Sequence, residues 1–169
     1  MEHKAQVFQL PQYGRQAPFA SFLPGIAGVK GIPLWCYYVN RGQGVVSFGT
    51  SDKDQAIMEF LPAHRAYASV EQTGFRTFLR RDGCFAELFR REEACDMSIG
   101  MNTLQIEETD PENGLRAEVC YFVLPEERLG ALVRRVRITN TGTQSCRMEV
   151  LDGMPELVPY GVDDAALKQ

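Results

Sequence analysis

The stretch that decides the fold runs from Leu115 to Asn140 and reads LRAEVCYFVLPEERLGALVRRVRITN. Its first half alternates. Leu115, Ala117, Val119, Tyr121 and Val123 share one face of an extended chain, while Arg116 and Glu118 take the other. The second half repeats the pattern through Leu132, Val136 and Ile138, with Arg135 and Arg137 on a solvated side. Arg134 falls in the apolar phase and breaks it, and the sequence offers no account of it. A helical reading fails on length, because Gly or Pro interrupts each run within about ten residues.

Short apolar runs separated by turn chemistry continue on both sides of this stretch, as in an antiparallel all-β domain. FRTFLR and CFAELF flank Arg81-Asp82-Gly83, and TLQIEE and LRAEVCYFV flank Asp110-Pro111-Glu112-Asn113-Gly114. LVRRVRIT and CRMEVL flank Asn140-Thr141-Gly142-Thr143. In each case Gly, Asn or Asp supplies the positive φ of a tight reversal. Three successive hairpins predict a meander, and two antiparallel sheets packed face to face predict a β-sandwich.

Three parts follow. Residues 1–33 hold Pro11, Pro18, Pro24 and Pro33 with Gly14, Gly25, Gly28 and Gly31, so they read as an extended lead-in with at most one short strand. Phe8, Tyr13, Phe19 and Phe22 are expected to pin that segment to the body. Residues 34–160 form the sandwich. Residues 161–169, with Asp163 or Asp164 as N-cap before Ala-Ala-Leu-Lys, read as the start of a helix that continues in a longer protein.

LWCYYVNRGQGVVSFG, residues 34–49, is the strongest candidate for a binding loop. A phosphate cradle needs a strand, a glycine turn and then a helix N-terminus. Here a second strand, VVSFG, follows, so Asn40-Arg41-Gly42-Gln43-Gly44 reads as a hairpin turn. Trp35, Tyr37 and Tyr38 could stack on sugar rings. The continuous run Leu-Trp-Cys-Tyr-Tyr-Val fits better a strand buried on both faces.

The 169 residues carry a net charge of −4 with no block of either sign, which gives no footprint for nucleic acid. No run approaches the ~20 apolar residues of a membrane helix. Five widely spaced cysteines without a C-x-x-C pair suggest thiols in a reducing compartment, and the cytoplasm is the expected location. His3 and His64 are the only histidines, too few for a zinc site or a His-based triad, so no metal, cofactor or catalytic residue is assigned. Asp52, Asp54, Glu59, Glu107, Glu108, Asp110 and Asp152 are candidates for paired-carboxylate chemistry, although each reads first as a solvated surface group.

Asn113-Gly114, the Arg116-x-Glu118 strand ending in Phe122-Val123, and Thr139-Asn140-Thr141 before a return strand occur in an order that resembles the N-terminal β-sandwich of glycoside hydrolase family 94, the cellobiose phosphorylase group. GVVSFG at 44–49 and EFLPAHRAYASVEQTGFRTF at 59–78 are similar to further pieces of that domain, so the resemblance spans roughly 34–159. The lead-in and the ending LDGMPELVPYGVDDAALK look closest to the 1,2-β-oligoglucan phosphorylase branch.

The resemblance implies a supersandwich, galactose mutarotase-like fold that precedes a linker helix and an (α/α)6 catalytic domain. It implies a non-catalytic, structural part of an inverting glycoside phosphorylase, a glycosyltransferase by reaction. The implied partners are that catalytic domain and a second copy in a homodimer. The whole protein would act on a β-glucan oligosaccharide and inorganic phosphate. Asn40, Arg41 and Trp35 are then the candidate substrate contacts, helping to wall the active site. The rival expectation is an independent carbohydrate-binding module with an aromatic platform.

Overall fold

The alternation of Leu115–Leu124 becomes a ten-residue strand whose Leu115, Ala117, Val119, Tyr121 and Val123 are all buried. The computed structural model describes residues 7–90, 94–110 and 114–162. In chain order the strands are β1 (Phe8–Leu10), β2 (Ala20–Ala27), β3 (Ile32–Val39), β4 (Val45–Thr50), β5 (Arg76–Arg81), β6 (Cys84–Leu88), β7 (Cys95–Ile99), β8 (Thr103–Asp110), β9 (Leu115–Leu124), β10 (Ala131–Asn140) and β11 (Met148–Gly153). One α-helix, α1 (Ala63–Thr73), lies between β4 and β5.

Three antiparallel sheets result, ordered β1-β7-β8-β9-β10, β2-β3-β4 and β11-β5-β6. The five-stranded sheet forms one layer. Its inward residues, among them Met97, Leu104, Ile106, Val119 and Tyr121, share one cluster with Leu23, Cys36 and Tyr38 of the second sheet and Leu79 and Leu88 of the third. The two small sheets therefore cover the large one, and the all-β antiparallel sandwich is as expected, with 53% of the described residues extended against 13% helical.

The N-terminal stretch is more ordered than the expected lead-in. β1 pairs with β7, and β2 pairs with β3 along its whole length, from Ala20 opposite Val39 to Ala27 opposite Ile32. Of its aromatics, Tyr13 is fully buried, and Phe8, Phe19 and Phe22 each meet another ring.

Two of the expected hairpins form, β5–β6 and β8–β9, although residues 111–113 of the second turn lie outside those described. The third does not. β10 pairs with β9, whereas β11 crosses to the other layer and pairs with β5, from Met148 opposite Arg81 to Gly153 opposite Arg76. The connection from Thr141 to Arg147 is longer than a tight hairpin needs, and it carries the chain between layers. The meander is therefore β7 to β10. The expected helix start at 161–169 lies outside the described residues beyond Val162.

The helix is a departure from the strands expected throughout residues 34–160. Pro62 precedes it, Gly74 ends it, and no Gly or Pro interrupts its 11 residues. Ala66 and Val70, one turn apart, are its buried contacts and sit with Trp35, Tyr37, Val39 and Val46. The helix therefore covers the outer face of β3 and β4, which is why β3 is buried on both sides as its sequence suggests.

At Gly49 the cover is tight: a Cβ there would stand 2.6 Å from the Trp35 ring and 2.6 Å from the Cα of Ala56. Gly49→Ala is expected to lower unfolding free energy by about 1–3 kcal/mol through overpacking. The reading is a lower urea midpoint at unchanged slope; a variant as stable as wild type would show that the backbone here has room to spare.

Candidate functional site

The turn Asn40–Gly44 closes β3 onto β4 with hydrogen bonds from the Val39 N–H to the Gly44 carbonyl (2.9 Å) and from the Gly44 N–H to the Arg41 carbonyl (3.0 Å). Gly44 sits at φ 82°, and a Cβ on it would stand 3.2 Å from the Leu104 side chain of β8. This turn is pressed into the core. Its polar side chains consequently face protein.

Asn40 is fully buried. Its Oδ1 accepts the Phe19 N–H (2.7 Å) and the Tyr67 hydroxyl (3.4 Å), and its Nδ2 donates to the carbonyls of Ala17 (3.0 Å) and Tyr13 (3.3 Å). Arg41 donates to the carbonyls of Asn40 (2.6 Å), Gln16 (3.2 Å) and Tyr13 (3.3 Å). The two side chains thus hold segment 13–19 through the carbonyls of Tyr13, Gln16 and Ala17 and the N–H of Phe19. Tyr13 returns the contact through a short hydrogen bond from its hydroxyl to the Gly42 carbonyl.

Trp35 lies on the other face of β3. It meets the rings of Phe22 (5.7 Å) and Phe60 (5.9 Å), and its indole N–H donates to the Asp52 carbonyl (3.1 Å). Trp35, Tyr37 and Tyr38 are 9%, 6% and 2% exposed, so none of their ring faces is free for a sugar. Asn40 and Arg41 come together in one turn, and Trp35 belongs to the separate cluster under the helix.

The constellation that sequence reading missed centres on Arg134. Its side chain is 9% exposed and ion-paired to Asp152 of β11, with a second contact of 3.0 Å from Nη2 to Oδ1. The same Nη2 donates to the Gln43 side-chain carbonyl and to Thr77 Oγ1 (3.2 Å), and Nε reaches the Tyr121 hydroxyl (3.2 Å). The Phe75 ring lies 4.5 Å from the guanidinium. Thr77 donates to Asp152 (2.6 Å), Gln43 Nε2 reaches Thr77 (3.1 Å), and Tyr121 donates to the Gln43 carbonyl (2.8 Å). Burial pushes the Tyr121 phenol up, so it stays a neutral donor. The sequence signal was the one cation in the apolar phase of β10.

The candidate carboxylates are likewise occupied. Asp54 pairs with Lys53, Glu107 with Arg116 and Asp152 with Arg134. Asp52 accepts the Asp54 N–H, Glu59 the Gly161 N–H and Glu108 the Phe89 N–H, and Asp110 is also engaged. His64 is exposed on α1, and His3 lies outside the described residues. Cys36 and Cys95 are buried, Cys84 is exposed, and the other two are half-buried; all five are free thiols. Among the described residues no helix is long and apolar enough to cross a membrane.

No protein-family model matches the chain, and no curated protein matches it. The site is therefore read from its own geometry.

Two outcomes follow from that geometry. Asp152→Ala leaves the Arg134 guanidinium in the interior without its anion and is expected to cost about 3 kcal/mol. Arg134→Met costs less, because Asp152 is one-third exposed and is left partly hydrated, and the double variant costs less than the sum of the two. Chemical denaturation of the four proteins measures this, and strict additivity would dissolve the pair. On the outer face of β5, Arg76 grips Glu87 through bonds of 2.7 and 2.9 Å. That hydrogen bond holds the Glu87 carboxyl below its ordinary value, against the opposing effect of burial. The stabilisation is present above the unfolded-state pKa and is lost as pH falls through the folded one. Glu87→Gln is expected to flatten the acid limb of stability against pH; an unchanged acid limb would refute the linkage.

Proposed function

We propose that this chain is a non-catalytic β-sandwich domain of a cytoplasmic inverting glycoside phosphorylase acting on β-glucan oligosaccharides, with a structural role beside a separate catalytic domain. The observation that supports it most is how the polar side chains are used. Asn40, Arg41, Gln43, Thr77, Arg134 and Asp152 bind backbone or one another across the three sheets. Such a domain contributes shape and rigidity, and the chemistry belongs elsewhere. The family resemblance, which covers β3 to β11, supplies the substrate class.

Asn40 and Arg41 enter this function by holding segment 13–19 in place. Trp35 enters it by filling the space under α1. The binding-module reading gains nothing from these rings, because their faces are already covered.

Incubating the purified 169-residue chain with β-1,2-gluco-oligosaccharides and inorganic phosphate is expected to release no glucose 1-phosphate. Calorimetric titration with the same sugars is expected to be silent. Phosphorolysis by the chain would overturn the non-catalytic reading, and sugar binding lost in Trp35→Ala with an unchanged circular dichroism spectrum would establish the binding module instead.

A further inference from the structure

The edge strands of the three sheets are fastened to the core to very different degrees. Among those longer than three residues, β2 buries Leu23 and Ala27, β4 buries Val45 and Val46, and β6 buries Leu88. β10 packs Leu132, Val136 and Ile138 against the main apolar cluster. β11 has no such anchor. Glu149, Val150 and Leu151 are exposed, and Met148, which does reach the cluster, is only half-buried. Even Val150, which the register sets opposite the buried Leu79, is 50% exposed.

Polar bonds hold β11 instead. Its backbone pairs with β5, Glu149 pairs with Arg80 on the outer face, and Asp152 meets Arg134 and Thr77 on the inner one. The outer pair is about half exposed, so solvent weakens it. β6, at the opposite edge of the same sheet, is joined to β5 by a two-residue turn and runs into the fully buried Phe89, whose N–H donates to Glu108 (2.6 Å). β11 has exposed connections at both ends, residues 141–145 before it and 155–157 after it. Beyond them the chain is fixed again. The Thr141 N–H donates to the Gly114 carbonyl (2.8 Å), and the Glu59 N–H to the Val158 carbonyl (2.9 Å).

We propose that β11 is a latch that swings off β5 as one unit while the rest of the sandwich stays folded, with Asp152 on Arg134 as its catch. The segment is tethered on both sides, so it stays close to β5 when open and recloses at small entropic cost. Little apolar surface is given to water in the opening, which is the mark of a low-stability unit within a folded domain. The open state differs from the closed one at a defined place: water reaches Arg134, Thr77 and Leu79, and one edge of β5 is bare. The latch does not depend on what the domain serves.

Strand β5 carries its own reporters of this motion. Asp82 and Gly83 stand at φ 51° and 82°, the two positive values of a type I′ turn, so Arg81 and Cys84 form its hydrogen-bonded closing pair. Bonded pairs alternate from there. Thr77 and Leu79 therefore direct their N–H groups to β6, and Phe78 and Arg80 direct theirs to β11, where Leu151 and Glu149 face them. Opening of β11 releases one set of amides and leaves its neighbours bonded.

Native-state hydrogen exchange of the whole chain, followed by NMR in rising urea below the unfolding transition, tests this. The amides of Phe78, Arg80, Glu149 and Leu151 are expected to exchange on the order of a hundredfold faster than that of Val119 in the centre of the large sheet, and with a shallow urea dependence. Thr77 and Leu79 are expected to stay slow. Arg81 and Met148 face each other as a non-hydrogen-bonded pair, whose Cα separation of about 4.5 Å a disulfide spans. Arg81→Cys with Met148→Cys, in a Cys84→Ser, Cys146→Ser background, is expected to slow all four fast amides when oxidised and to release them on reduction. Equal rates at Phe78 and Leu79 would overturn the latch. So would an oxidised variant in which only Glu149 and Arg80, next to the bridge, slow down, since that is fraying. The wild-type pattern decides the matter even if the bridged variant does not fold.

Discussion

A nearly buried guanidinium between the layers of the sandwich, closed on its outer side by the partly exposed Asp152, is the constraint on which the rest of this structure turns. Taking Arg134 out of water costs several kcal/mol unless its donors are matched. Matching them recruits groups from all three sheets and their turns: Tyr121 from the large sheet beside it, Thr77 and Asp152 from β5 and β11, and Gln43 from the turn that joins β3 to β4. Apolar surfaces tolerate sliding over one another, but directional bonds of this kind do not. The network fixes how the two small sheets sit on the large one. The buried turn, the crossing strand β11 and the Phe75 ring all meet at this side chain.

The same constraint explains which parts of the fold were legible in the sequence. Period-two alternation in β9 and β10 needs no partner to be recognised, and the Asp82–Gly83 reversal announces itself by residue type. The pairing of β11 does not. Its sequence, MEVLDG, is as compatible with β10 as with β5, and the register that places Met148 opposite Arg81 and Gly153 opposite Arg76 is one that no local pattern reveals. Helix α1 escaped for a different reason. Its buried stripe is only Ala66 and Val70, too narrow and too small to register as helical periodicity, and the cover it provides is set by the aromatic face of β3.

The candidate site divides in the same way. Asn40 and Arg41 read as turn residues and candidate substrate contacts, because polar side chains usually occupy turns. Here the turn lies under segment 13–19, and its polar side chains serve the carbonyls of Gln16 and Ala17. Trp35 was legible as a core residue through its unbroken apolar neighbourhood. Gln43 carried no signal, since glutamine between two glycines reads as exposed loop. The anomaly at Arg134 was visible, but its meaning required strands that are distant in sequence.

The strand order has a consequence for how the molecule comes into being. β7 to β10 are neighbours in sequence as well as in space, and they can zip together as they leave the ribosome. The edges cannot. β1 waits for β7, as in the bond between Gln9 and Ser98 across 89 residues, and β5 waits for β11, as in that between Arg80 and Glu149 across 69. Closing such loops carries an entropic cost before any contact repays it, which slows folding. Until Met148–Gly153 has been synthesised, the β5–β6 hairpin stands open on both sides, the charge of Arg134 has no counter-ion, and the nascent chain is at its most vulnerable to chaperones, proteases and its own kind.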